Sequence, residues 1–561
     1  MRFPSIPFAA IAVFTSLFAT VVPAQKFDEK FEHWPVDLTI KGTLIVDCGM
    51  DDDDKWQQLL ARTRGKKALV AAAGSAEAGL VQGWLARIQG AEIEDLSIAT
   101  FPALSKASMD LKKHDLVILI AGKEIPKENE LSAATKKIRE YLANGKTLIV
   151  DKNFGKVLAK THLSASDLKT TGNGTGLIPD CVMMTDFTGA KQQKRTLLSK
   201  LAANPRMVGI GVEDETAMVL SGRKIRVLGK GSATFMLMAN DKMPIRTQTI
   251  SEPTSRRQAP EEWLVDLTEW RRDAIDRTIA PFPPASPPTP NVENGTLVIV
   301  GGGGMPRGLF SQFVELAGGK DKAKIVYVPC SERDDVGEQQ RTVEMFKRLG
   351  VKHATFIHTK DRNQANTDEE FLEPLKDATG IWFGGGRQWN FADSYYGTKA
   401  HKLMKDVLKR GGVVGGSSAG ASIQARYLAR ATPIGNFRIM APGYERGGLG
   451  FIGGVAIDQH FSQRGRQKDM TQLVNRYPQM LGIGLDEATA IIVQKSSAKV
   501  VGRGRVFFYD RNLPVYPNKP DYVALPAGSE YDLAKRKVVK DTSENKSSSE
   551  SKSKQNDGEQ P

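Results

Sequence analysis

The sequence predicts an α/β protein: two tandem doubly wound sandwiches with mostly parallel sheets. Three observations predict it. Short Val/Ile/Leu runs alternate with amphipathic stretches, those runs lack polar alternation, and the pattern occurs twice along the 561 residues. In the second half the runs near 297–300, 324–328, 380–383 and 412–414 are apolar at consecutive positions, as central strands covered on both faces must be. Helical patterns fill the gaps at 308–316, 339–349 and 401–409.

The repeat is legible in four matched segments. Gly42-Thr-Leu-Ile-Val-Asp-Cys-Gly49 mirrors Gly295-Thr-Leu-Val-Ile-Val-Gly-Gly302, and Ala68–Ser75 mirrors Lys324–Ser331. Leu116–Gly122 mirrors Gly380–Gly386, and Gly209-Ile-Gly-Val-Glu-Asp-Glu-Thr-Ala217 mirrors Gly482-Ile-Gly-Leu-Asp-Glu-Ala-Thr-Ala490. The offsets are 253, 256, 264 and 273, a steady growth that insertions in the second copy would produce. Residues 280–291 divide the copies. The run Ala-Pro-Phe-Pro-Pro-Ala-Ser-Pro-Pro-Thr-Pro fixes extended backbone and removes amide donors, so it reads as a linker. The predicted organisation is a leader at 1–24, an N-terminal domain at 25–279, the linker, a second domain at 292–530 and a disordered polar tail at 541–561, too poor in apolar side chains to offset its ordering entropy.

Composition narrows the function classes. The chain is 40% hydrophobic with a mean hydropathy of −0.32, ordinary for a globular protein. Phe8 to Val22 is apolar and ends in Val22-Pro23-Ala24, a small-residue site of the kind that closes an export signal; the mature protein is therefore expected outside the cytoplasm, periplasmic or extracellular. No other segment is long and apolar enough to span a bilayer. The net charge of +14 is spread along the chain without a dense basic block, which argues against nucleic acid as a partner. Cys48, Cys181 and Cys330 sit in apolar, strand-like contexts and lack metal-ligand spacing, so buried thiols are expected, with no metal site and no cofactor.

The chemistry concentrates in the second copy. Val413-Val-Gly-Gly-Ser-Ser418-Ala-Gly-Ala421 runs a buried strand into a tight small-residue turn and then a helix. A turn of that kind lifts one hydroxyl above the sheet edge, where free amides favour developing negative charge. Ser418 is the candidate nucleophile and the Ala419 amide a candidate oxyanion donor. Phe383-Gly-Gly-Gly-Arg-Gln388 ends a neighbouring strand, so Gly385 or Gly386 can supply the other donor and Gln388 can reach a substrate. Asp458-Gln459-His460-Phe461 closes another apolar run, with His460 the candidate base. Arg464 and Arg466 follow it as cations suited to carboxylates.

The motifs Gly-Gly-Ser-Ser418-Ala-Gly-Ala, Asp458-Gln-His-Phe-x-x-Arg464-x-Arg466 and Gly482-Ile-Gly-Leu-Asp-Glu487, in this order, resemble the cyanophycinase family, which is related to peptidase E. The resemblance covers about 295–510. It implies a class I glutaminase-like, flavodoxin-like sandwich and a metal-free serine exopeptidase acting on β-aspartyl or acidic peptides. It also implies Ser418 as nucleophile, His460 as base, and Gln388, Asp458, Gln459, Arg464 and Arg466 as substrate-pocket residues. Two positions depart from the family pattern: Asp469 replaces a third arginine, and the stretch expected to carry a triad glutamate reads Ile434-Gly-Asn436-Phe. Asn436 and Glu445 are therefore the candidates for the third triad member. The first copy sets Asn153 opposite Ser418 and, at the 273 offset, Phe187 opposite His460 and Gln193 opposite Arg466; it reads as a degenerate, non-catalytic copy. Family members tend to be dimers, so either a homodimer or an intramolecular pseudo-dimer is expected. The competing readings are an α-aspartyl-type dipeptidase and a catalytically silent peptide-binding protein.

Overall fold

A computed structural model describes residues 34–543 except 36–37, 39, 64–66, 74–77, 92, 107–108, 123–127, 164–170 and 436–437. The leader and all but the first residues of the polar tail lie outside the described residues.

The N-terminal half holds β1 (Thr43–Cys48), β2 (Lys67–Ala72), β3 (Asp95–Thr100), β4 (Leu116–Ile120), β5 (Thr147–Asp151), β6 (Ala159–Leu163), β7 (Thr171–Asn173), β8 (Ile178–Met184), β9 (Val208–Val212), β10 (Thr216–Ser221), β11 (Lys224–Gly229), β12 (Ser232–Leu237), β13 (Arg246–Ser251) and β14 (Leu264–Asp266). The C-terminal half holds β15 (Val292–Val300), β16 (Lys324–Val328), β17 (His353–Phe356), β18 (Gly380–Phe383), β19 (Val413–Ser417), β20 (Ala425–Tyr427), β21 (Ile452–Asp458), β22 (Leu481–Leu485), β23 (Thr489–Lys495), β24 (Ser497–Gly502), β25 (Arg505–Tyr509), β26 (Val523–Pro526), β27 (Glu530–Asp532) and β28 (Lys537–Lys540).

Each half builds a large mixed sheet and a smaller one. The large sheets are ordered β14-β11-β10-β1-β5-β4-β2-β3 and β28-β27-β24-β23-β15-β19-β18-β16-β17. The smaller are β13-β12-β9-β8-β6-β7 and β26-β25-β22-β21-β20. The two halves thus share strand order. In both, a parallel block (β1, β5, β4, β2, β3; β15, β19, β18, β16, β17) meets an antiparallel strand, β10 or β23.

Burial explains why the central strands read as unbroken apolar runs. Along β15, Leu297 and Ile299 enter one core with Val414, Ile381 and Phe383, while Val298 and Val300 enter another with Phe313, Phe346 and Trp382. Both faces are covered, so alternation is lost. Helices form at Leu309–Leu316, Arg341–Arg348 and Lys399–Lys409, within two residues of the expected bounds. Thr398 caps the last of these by accepting from the His401 amide. The C-terminal sheet runs ten residues past the expected boundary at 530. The signal was weak because all four residues of β28 are exposed.

The proline-rich linker is docked rather than free. Phe282 stacks on Tyr427 at 6.0 Å, with Arg426 and Arg446 over its ring. Among the described residues no helix is long and apolar enough to cross a membrane.

Candidate active site

The parallel strands β15 and β19 end side by side, with Val300 opposite Ser417. The next residue, Ser418, has φ 58° and ψ −113°, a conformation that costs a non-glycine residue about 1–3 kcal/mol. Its neighbours make the turn geometrically feasible. A Cβ on Gly416 would lie 2.3 Å from the Gly420 carbonyl oxygen, and one on Gly420 would lie 2.2 Å from that of Phe383. The Ser418 amide donates to Val300 O at 3.0 Å and is spent on holding the turn. The Ala419 amide, first in the short helix Ala419–Ser422, is the next one along.

His460 follows β21, and its Nε2 lies 2.9 Å from Ser418 Oγ. On the other side of the ring, Nδ1 lies 2.5 Å from Glu487 Oε1. A carboxylate at Nδ1 holds a proton there and leaves Nε2 to accept the serine proton. Burial, the largest influence on the ring, lowers its pKa from the ordinary histidine value. Arg464 and Arg466 act in the same direction and together these outweigh Glu487, which raises it. The net shift favours the neutral ring, the form that can accept a proton at Nε2.

Among the described residues the carboxylate at His460 Nδ1 is Glu487, not the sequence candidate Glu445. Glu445 is sealed elsewhere: its Oε2 accepts from Tyr477 at 3.3 Å, and burial, with the Asp276 charge, pushes its pKa up to about 7. Asn436 lies outside the described residues. Glu487 closes the sequence motif Gly482–Glu487 and follows His460 in the chain instead of preceding it. Its turn is fixed by Gln463 Oε1, which accepts from the Glu487 amide at 3.0 Å, and by Asp486, which accepts from the Ser462 amide at 3.0 Å.

A second element the sequence reading missed is the Gly301–Gly304 turn after β15. Gly302 has φ +92°, and a Cβ there would lie 2.4 Å from His460 Cε1. On Gly303 it would lie 2.2 Å from the Glu487 carboxyl carbon. Gly301 O accepts from the His460 amide and Gly302 O from that of Ala488, each at 2.8 Å. The glycine run lets two side chains occupy space that any larger residue would fill.

The remaining candidates divide. Gly385 lies against Ser418, since its missing Cβ would be 3.6 Å from Ser418 Cβ; Gly386 faces Cys330. Gln388 is buried and donates from Nε2 to the carbonyls of Ala429 and Arg430, at 2.7 and 2.8 Å. Asp458 is fully buried. It accepts from Arg430 Nε at 2.7 Å, Arg466 Nη1 at 2.9 Å and the Gln459 amide at 3.0 Å. Arg466 also donates to Gln459 O at 2.6 Å. The polar groups of Gln388, Asp458 and Arg466 are engaged with neighbouring side chains and with backbone carbonyls and amides. Arg464 is exposed and has no ion pair among the described residues; it is close enough to lower the pKa of His460. Asp469, the charge reversal seen in the sequence, pairs with Arg430 at 2.6 Å.

The thiols do not enter this chemistry. Burial pushes Cys181 and Cys330 up to about 12 and Cys48 well above its ordinary value.

Strand register also changes the residue-by-residue match between the two halves. Thr43 pairs Thr147 where Thr296 pairs Val413, which sets Lys152, not Asn153, at the Ser418 position. Phe187 packs against Gly211 as Phe461 packs against Gly484, so Asp186, not Phe187, matches His460. Glu487 matches Asp214. Lys152 Nζ lies 3.5 Å from Asp186 and 3.3 Å from Asp214. Burial opposes its charge, but the two carboxylates outweigh it and raise the ammonium's pKa.

A hydroxyl on a strained strand-to-helix turn, an imidazole at its oxygen and a carboxylate behind the ring define a serine hydrolase site. Residues 296–501 match peptidase family S51. A cyanophycinase from Geminocystis herdmanii is 30% identical over 212 residues, covering 37% of this chain and 77% of that one. A cyanophycinase from Synechococcus elongatus is 29% identical over 219 residues, covering 38% of this chain and 66% of that one. The crystal structure of a peptidase from an acI-B1 Actinobacterium aligns at a TM-score of 0.31 and 23% identity, over 43% of this chain and 97% of that one. The chain belongs to peptidase family S51, and it is a serine-type peptidase.

Proposed function

We propose that this chain is an exported peptidase that hydrolyses β-aspartyl or acidic peptide bonds through an acyl-enzyme on Ser418. The observation that carries the reading is the continuous contact Ser418–His460–Glu487. His460 Nε2 takes the hydroxyl proton as Ser418 Oγ attacks the scissile carbonyl. The amides of Ala419 and Gly385 stabilise the oxyanion, each worth roughly 10²–10³ in rate. The C–N bond breaks as His460 returns the proton to the leaving amine. Water, deprotonated by the same ring, then attacks the ester and releases Ser418. Arg464 is the exposed cation for a substrate carboxylate, while Asp458, Gln459, Arg466 and Gln388 shape the wall behind it.

The substrate class draws support from the exposed Arg464 beside His460 and from the cyanophycinases that the chain resembles. Asp469 favours a second reading, an α-aspartyl-type dipeptidase, because it pairs with Arg430 where a further cation would otherwise stand. The Lys152–Asp186–Asp214 ion pairs support a non-catalytic role for the N-terminal half, since a charged amine is no nucleophile. Export is supported by the apolar run ending at Ala24.

The test is hydrolysis of cyanophycin, a β-Asp-Arg dipeptide and an α-Asp dipeptide by the wild type and Ser418→Ala. The proposal expects turnover of a β-linked substrate that the variant lacks. Turnover of the α-linked dipeptide alone would replace the first reading with the second. Equal turnover by both proteins would refute the Ser418 mechanism.

A further inference from the structure

Two segments complete the catalytic site from behind. One is the turn 384–388, which brings Gly385 against Ser418 and runs into the helix Trp389–Tyr395. The other is the loop between β20 and β21, which carries Arg430. Gln388 ties them together through the carbonyls of Ala429 and Arg430. Neither segment is anchored by the catalytic half alone.

Asp393, on the helix Trp389–Tyr395, is buried against the N-terminal half. It pairs with Arg223 and, at 2.5 Å, with Arg272 Nη1. Tyr444, on the β20–β21 loop, donates to Asp393 at 3.0 Å and accepts from Arg223. Arg272 stacks between Trp34, at 3.5 Å, and Tyr444, at 4.5 Å. Arg223 is fixed in turn by Asp266 at 2.6 Å. The approach is close at the backbone too, since a Cβ on Gly443 would lie 2.4 Å from Glu269 O. Burial opposes the charge of Asp393, but Arg223, Arg272 and Lys360 overcome it and hold its carboxyl well below the usual range.

We infer that the N-terminal half is a positioning subunit for the catalytic half: Arg223 and Arg272 grip Asp393 and Tyr444 and so hold the oxyanion turn against Ser418. The inference rests on the serine-peptidase reading and gives the non-catalytic half a task. Arg223, Arg272, Asp393 and Tyr444 are positioning residues; none touches the reacting atoms. Two cations converging on one buried carboxylate fix a direction as well as a distance, as bidentate arginine contacts do. A displaced turn would lose the oxyanion donor while leaving Ser418, His460 and Glu487 in contact.

The test uses the full chain and the rate constant for sulfonylation of Ser418 by phenylmethanesulfonyl fluoride. In that reaction the S–O bond forms, fluoride leaves and His460 takes the proton. Loss of folded protein lowers the amount labelled but not this rate constant, so the readout separates positioning from stability. Arg272→Met is expected to react at least tenfold more slowly, and Arg272→Lys to recover to within threefold of the wild type. Tyr444→Phe, which removes one hydroxyl, is expected to slow labelling about threefold and decides the matter if Arg272→Met does not fold. In peptide hydrolysis the loss is expected in kcat, with KM changed less than threefold. Wild-type rate constants in Arg272→Met, or in Tyr444→Phe if Arg272→Met fails to fold, would overturn the inference and leave the peptidase intact. A wild type whose Ser418 does not react would overturn the serine reading and the inference with it.

Discussion

Glu487→Gln isolates the carboxylate behind the base. The substitution keeps shape, which matters because Gly303 leaves no room for anything larger. It removes the charge 2.5 Å from His460 Nδ1 and allows an amide N–H to face the ring instead. Where a triad carboxylate is fully buried, the amide variant costs ~10⁴ in turnover. Here the Glu487 side chain is 35% exposed, so water partly screens the imidazolium. A loss of about 10²–10³ follows, or roughly 3–4 kcal/mol at ~1.36 kcal/mol per decade. The pH profile of kcat/KM adds a signature of opposite sense. Glu487 raises the pKa of His460, so its removal moves the acid limb to lower pH while the plateau falls. The assay is peptide hydrolysis across pH 4–9, an illustrative range of about five units around the ordinary histidine value. A variant within threefold of wild type, or a limb moved upward, would refute the assignment of Glu487.

Other outcomes follow from the same geometry. In the wild type the acid limb of kcat/KM lies below the ordinary histidine range, because His460 is depressed by burial and the two arginines; a limb at or above that range contradicts this. The sign for stability is set by the same shift: the unfolded chain binds the His460 proton first as pH falls, so stability from this group is lost between the unfolded and the lower folded pKa, as a urea titration against pH would show. Gly302→Ala places a methyl 2.4 Å from the His460 ring at φ +92°, so more than ~100-fold loss of kcat is expected with about 1–3 kcal/mol of destabilisation by chemical denaturation; near-normal turnover would contradict the cradle. Arg464→Ala should raise KM for an acidic peptide roughly 10- to 100-fold, the worth of one charged hydrogen bond, and move the acid limb upward because a cation near His460 has gone; an unchanged KM would remove Arg464 from the substrate site.

The parts legible in sequence were those with one-dimensional signatures. Buried parallel strands announce themselves as unbroken apolar runs, and the small-residue turn around Ser418 needs glycine for reasons visible in composition alone. His460 stood out as a polar residue closing an apolar strand. Glu487 did not, because nothing local distinguishes it from Asp486 beside it. Its role comes from β21 and β22 pairing so that the turn after β22 faces the turn after β21. Nothing in the sequence marks Gly302 and Gly303 as the positions whose missing side chains make room for the His460 ring and the Glu487 carboxyl. The sequence match between the two halves was off by one residue at Lys152 and at Asp186, because small length changes between strands are invisible without ladder register. Arg464 and Arg466 looked equivalent; burial separates them, spending one on Asp458 and leaving the other exposed.

Peptide mapping by mass spectrometry after treatment with phenylmethanesulfonyl fluoride tests the central claim most directly. The account predicts one sulfonylated residue, Ser418, in the wild type and no adduct in His460→Ala. An adduct on Ser417 or elsewhere, or undiminished labelling without His460, would contradict it.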